Sequence, residues 1–117
     1  NWNYGKKLMI EGNRIAKKFG LENFFYFSGI ACSPNYNCFD IKKNNSLEFR
    51  TLFIQEMLRN EVLMPWISIA YRHNAKVLDK TLNSLDRALF VYKKALKNGV
   101  KKYLKGHVIK PVFRRFN

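Results

Sequence analysis

An α+β fold, with a small antiparallel or mixed sheet of about three to four strands and helices packed on one face, is predicted by three patterns in this chain. Leu78, Leu82, Leu85, Leu89, Tyr92 and Leu96 recur at alternating steps of four and three, which lines them up on one stripe of an α-helix. Trp66 to Tyr71 alternates instead, putting Ile67, Ile69 and Tyr71 on one face and Trp66, Ser68 and Ala70 on the other, as a strand does. Phe24-Phe25-Tyr26-Phe27-Ser28 is short, aromatic and bounded by turn formers, which reads as a buried strand.

The first helix carries Tyr4, Leu8, Ile15, Ala16 and Phe19 on one face and stops at Gly20, where a left-handed residue is free of a Cβ clash. The chain starts at Asn1 within this pattern, so the sequence reads as cut on its N-terminal side. After the aromatic strand, Ser33-Pro34-Asn35 reads as a turn, and Tyr36 to Asp40 as the antiparallel partner. A polar loop, Lys42 to Asn45, leads to a helix with Phe49, Leu52, Phe53 and Met57 on one face and Asn45 and Glu48 spaced as a capping box. Met64-Pro65 enforces an extended approach to the strand at Trp66. Asn74 is the expected N-cap of the leucine-striped helix and Gly99 its C′ residue. Val100, Tyr103 and Leu104 permit one more turn, Gly106 breaks it, and Pro111 keeps the remaining tail at an edge.

The chain has 117 residues, 47% of them hydrophobic, which is one domain's worth of folded protein. No apolar run is long enough to span a bilayer and the start lacks a signal-peptide pattern, so a soluble, cytoplasmic protein is expected. The formal charge of +14 is uneven, because no acid follows Asp86 while Lys93, Lys94, Lys97, Lys101, Lys102, Lys105, Lys110, Arg114 and Arg115 accumulate. A solvated helix face with a compositional bias accounts for this run; a polyanion-binding module, with Tyr103, Phe113 and Phe116 interleaved for stacking, is the alternative. Tyr92 shares the leucine stripe and is assigned to the core.

No catalytic constellation is visible. Cys32 and Cys38 lack the further ligands that a zinc site requires; they could approach across a hairpin, but read best as reduced, buried thiols. His73 and His107 have no nucleophile or carboxylate partner in the pattern, and no Gly-rich phosphate loop, G-x-S-x-G elbow or H-E-x-x-H is present. Trp66 either packs under a helix or projects toward a partner.

Taken in order, Arg50-Thr51-Leu52-Phe53-Ile54-Gln55-Glu56-Met57-Leu58, Val62-Leu63-Met64-Pro65-Trp66-Ile67-Ser68-Ile69, Tyr71, His73 and Leu78-Asp79-Lys80-Thr81-Leu82 resemble a known family. It is the C-terminal segment of class III, fold-type I pyridoxal-phosphate aminotransferases, the group that includes glutamate-1-semialdehyde 2,1-aminomutase. Gly5-Lys6-Lys7-Leu8 and the ending Lys110 to Asn117 are similar to members associated with surface-polysaccharide biosynthesis.

The resemblance implies a small domain, residues 1–99, with a basic tail, residues 100–117. It would pack on a large pyridoxal-phosphate-binding domain of the same polypeptide, in a homodimer acting on a small-molecule amino donor and acceptor. Neither membrane nor nucleic acid is an expected partner. The Schiff-base lysine and the cofactor phosphate site belong to the large domain, so this chain by itself is expected to be inactive. Met64, Pro65 and Trp66 become candidates for lining the substrate channel. Trp66 stands where many relatives carry a carboxylate-binding arginine, which removes a bidentate clamp and favours a sugar-like or apolar substrate face. Glu61 replaces a glycine usual in relatives, and Asn60 is expected to take the left-handed position instead.

Overall fold

The computed structural model describes residues 2–30, 33–60 and 75–106. Helix α1 (Trp2–Lys18) leads into a hairpin of β1 (Phe25–Ile30) and β2 (Ser33–Cys38), followed by α2 (Leu47–Arg59), α3 (Ala75–Asn98) and a 3-10 turn at Val100–Lys102. The fold is α+β. Two strands form the sheet among the described residues; the strand read at residues 66–71 and the cap read at Asn74 lie outside them.

Gly20 ends α1 as the sequence indicates. Its φ is 75°, its N–H donates to the Lys17 carbonyl at 2.9 Å, and the Leu21 N–H reaches back to Ala16 at 2.8 Å. Leu21 is itself buried and supplies the apolar contact of that cap.

The strands pair antiparallel with Phe25 opposite Cys38, Phe27 opposite Tyr36 and Gly29 opposite Pro34. Phe25, Phe27, Pro34, Tyr36 and Cys38 point into the core while Ser28 and Asn35 face out, so one face of the hairpin carries the helices. Ser33-Pro34-Asn35 is therefore not the turn expected from its residue types but the start of β2, which ends at Cys38. Pro34 is tolerated there because it sits at the strand's second residue, next to the hairpin's tip.

Several backbone groups on the outer edges of the hairpin have partners. Asn13 of α1 clamps Phe27, its side-chain oxygen accepting from the Phe27 N–H at 2.7 Å and its NH2 donating to the Phe27 carbonyl at 3.1 Å. On β2 the Cys38 carbonyl accepts from the Ser46 N–H at 3.0 Å and the Tyr36 carbonyl from the Arg50 guanidinium at 3.3 Å. The N-cap of α2 is Ser46, whose hydroxyl accepts from the Phe49 N–H at 3.0 Å. Asn45, the residue expected to cap, is instead held in a bridge to Phe39.

Helix α3 buries Leu85, Leu89 and Tyr92 completely, with Leu78, Leu82 and Leu96 half-buried at the edge of the same stripe. Each full burial of such a side chain contributes about 1.5–3 kcal/mol. Ser84, Ala88 and Ala95 are also buried, small side chains on the packed side of the helix. Phe25 is the aromatic centre, its ring centroid 4.6 Å from Phe53, 5.4 Å from Phe27 and 5.9 Å from Tyr92. Tyr92 also packs on Phe49 at 4.7 Å, and its hydroxyl donates toward the carbonyls of Phe39 at 2.7 Å and Phe24 at 3.0 Å. Past Gly99, the segment is tied to α2 by Gln55, whose amide donates to the Tyr103 carbonyl at 2.9 Å and accepts from the Lys105 N–H at 2.7 Å.

Replacing Tyr92 by Phe keeps the packing but removes the donor from two carbonyls, and should cost about 1–3 kcal/mol in urea unfolding. Gly12→Ala should also destabilise, although alanine is the better helix former: its Cβ would lie 2.5 Å from the ring edge of buried Phe27. The expected loss on thermal unfolding is about 1–3 kcal/mol, the range for overpacking.

Candidate functional site: a basic cleft between two helices

The C-terminal end of α2 and the first half of α3 enclose an open cleft of about 510 Å³. Lys76, Lys80, Asn83 and Arg87 line one wall at spacings of four, three and four residues, a single face of α3. The opposite wall is Arg59 and Asn60. Four cationic side chains face this cleft, with Asp79 as the one carboxylate among the lining residues.

Asn60 fixes the geometry. Its backbone N–H returns to the Glu56 and Met57 carbonyls, its NH2 donates to the Glu56 carbonyl at 2.8 Å, and its own carbonyl accepts from the Ser84 hydroxyl at 3.1 Å. Its side-chain oxygen accepts from the Arg87 guanidinium at 3.4 Å. Asn60 has φ −98° and ψ 20°, so the left-handed conformation expected for it is not adopted; the contacts to Glu56 and Ser84 hold the last turn without it. Behind this wall Glu56 is almost completely buried, accepting from the Gln55 NH2 at 2.8 Å, with the Arg59 guanidinium 3.6 Å away.

Met64, Pro65 and Trp66, the channel candidates, fall in the sequence between Asn60 and α3 and lie outside the described residues, as do His73, His107, Lys110, Arg114 and Arg115. Among the described residues, no group of three or more His, Cys, Asp or Glu side chains could hold a metal ion, and no helix is long and apolar enough to cross a membrane. Pyridoxal phosphate does not fit the described residues. A Schiff-base lysine needs a protected position beside the cofactor ring, and every described lysine is exposed. No protein-family model, curated protein or solved structure gives a significant match to the chain.

Cys38 is a buried free thiol beside Tyr92, at the opposite end of β2 from Ser33. Burial pushes its pKa from 9.0 up to about 12, partly offset by the charge of Arg50. Burial raises Tyr92 and Tyr36 as well. The cationic side chains of the cleft were visible as residues, but only Lys76, Lys80 and Arg87 share a helical period; Arg59 joins them through tertiary packing alone.

Between pH 9 and 12 the native Cys38 thiol keeps a proton that the unfolded chain releases, so native stability should fall as pH rises. Urea unfolding at pH 8 and pH 10 should show a loss attributable to Cys38 of about 1.4 kcal/mol, absent in Cys38→Ala.

Proposed function

We propose that this chain is the C-terminal small domain of a class III pyridoxal-phosphate aminotransferase or aminomutase, serving amino-group transfer as part of a larger polypeptide. The observation that carries this reading is the order in which the family-like segments fall on an α+β unit. Arg50 to Leu58 forms the body of α2, Leu78 to Leu82 opens α3, and Val62 to Ile69 joins them in sequence. A rigid pair of helices on a hairpin suits a domain that packs against a larger one and lends a wall to its site. The large domain would bind the cofactor and supply the Schiff-base lysine, while Met64, Pro65 and Trp66 would face the substrate.

The test is the absorbance spectrum of the gene product carrying the residues upstream of Asn1. A visible band from bound pyridoxal phosphate that changes on adding an amino donor is the expected result. A product without that band, or a reading frame with no coding sequence upstream, overturns the proposal.

A further inference from the structure

Two phenylalanines meet at the surface where α1 ends beside the second half of α3. Phe90 is 51% exposed, on the side of α3 away from the leucine stripe, and Phe19, just past the end of α1, is half-buried, with the two ring centroids 6.3 Å apart. A lysine lies over each ring. The Lys18 ammonium is 4.8 Å from the Phe19 centroid and the Lys94 ammonium 4.9 Å from that of Phe90. Lys18 also pairs with Asp86, one turn before Phe90, and no acid follows Asp86 in the sequence. Lys93 and Lys97 are exposed at three and seven residues beyond Phe90, and Lys17 is exposed at the end of α1; none of the three has an ion-pair partner among the described residues. The helix dipole favours Lys97, in the last turn of α3, but does not extend to Lys93 and Lys94. Core packing does not account for Phe90, because half of its surface stays in contact with water.

We infer that this surface binds single-stranded nucleic acid, with a base stacked on Phe90 and phosphates held by the lysines around it. An exposed aromatic ring accepts the π-face of any base, so the contact is tolerant of sequence. Attraction of lysines to a phosphate chain comes largely from the counterions it releases, and it needs no single point at which the side chains converge. Lys94 already shows the exchange that binding requires: its ammonium occupies the ring face weakly, as exposed cation–π pairs do, and can turn to a phosphate when a base takes its place. A duplex keeps its bases stacked inside and offers only its phosphates to this face. A bilayer surface calls for a broad apolar area, whereas the other strongly exposed apolar residue of α3, Val77, lies about 20 Å along the helix from Phe90. The inference is independent of the aminotransferase reading, and either can fail without the other.

The test is fluorescence anisotropy of the full chain with a labelled oligothymidylate and with a labelled duplex of equal length, from about 50 to 200 mM salt. Tighter binding of the single strand is expected. Phe90→Leu, which keeps an apolar side chain but cannot stack, should weaken it about fivefold or more. Phe90→Trp should retain binding, and the fluorescence it adds should be quenched by the oligothymidylate. Lys93→Gln/Lys97→Gln should lower the slope of log affinity against log salt by about 1.4, two phosphates at about 0.7 each. Lys6→Gln/Lys7→Gln, which removes equal charge at the other end of α1, should leave that slope nearly unchanged. Equal or tighter binding of the duplex, an unaltered affinity in Phe90→Leu, or an equal loss of slope in the Lys6/Lys7 variant overturns the inference. So does binding to phosphatidylserine vesicles without binding to the oligothymidylate. Should Phe90→Leu fail to fold, the quenching in Phe90→Trp and the comparison of the two lysine variants decide.

Discussion

The hydroxyl of Tyr92 sits where three chain segments meet. It is carried by the C-terminal third of α3 and donates toward the carbonyl just before β1 and the carbonyl just after β2, so a single proton ties the longest helix to both ends of the hairpin base. A tyrosine buried this deeply keeps its hydroxyl satisfied or destabilises the fold, and the two carbonyls meet that demand only when the hairpin is closed in its observed register. The ring then determines what surrounds it. Phe25 packs across its edge and Phe49 tilts against its face, which brings β1 and α2 to the same point on α3.

That convergence explains the small side chains along α3. Ser84, Ala88 and Ala95 lie on its buried side among the large ones, and Ser84 turns its hydroxyl to the end of α2. Close packing of the two helices at that point leaves their polar flanks splayed into the cleft, where long cationic side chains reach solvent while their helices stay fixed. The order of dependence runs from one buried hydroxyl, through helix positions, to a charged wall. Glu56 extends the same logic: a carboxylate sealed beneath the surface anchors Gln55 and Arg59, and Gln55 in turn holds the segment after Gly99.

Features governed by local chemistry were legible in the residues. The leucine stripe marked α3, Gly20 marked the end of α1, the aromatic run marked β1, and Gly99, with φ 101°, stands at the end of α3. Tyr92 was assigned to the core from its place on the stripe alone. What escaped was set by partners distant in sequence. Asn13 looks like an ordinary polar helix residue until Phe27 is placed beside it, and Arg50 gives no hint that it closes the edge of β2. Asn45 and Ser46 are comparable cap formers, and the bridge from Asn45 to Phe39 decided between them. Proline at position 34 spoke for a turn, yet a proline at the tip of a hairpin strand costs no inner ladder bond. The cleft was half legible for the same reason: its α3 wall follows the helical period, and its α2 wall exists only after packing.

The covered parts of the hairpin's margins bear on how this protein behaves when crowded with its own copies. A short aromatic hairpin with bare edges is a template for recruiting further strands, and so for aggregation. Here an asparagine amide saturates the middle of one margin, and a serine backbone with an arginine guanidinium covers the other. The aromatic sequence that makes β1 cohesive is thereby withdrawn from intermolecular pairing along its inner half. Asn13 and Arg50 thus act as gatekeepers, and their loss would be felt first as poorer refolding yield at high concentration, ahead of any change in the folded shape.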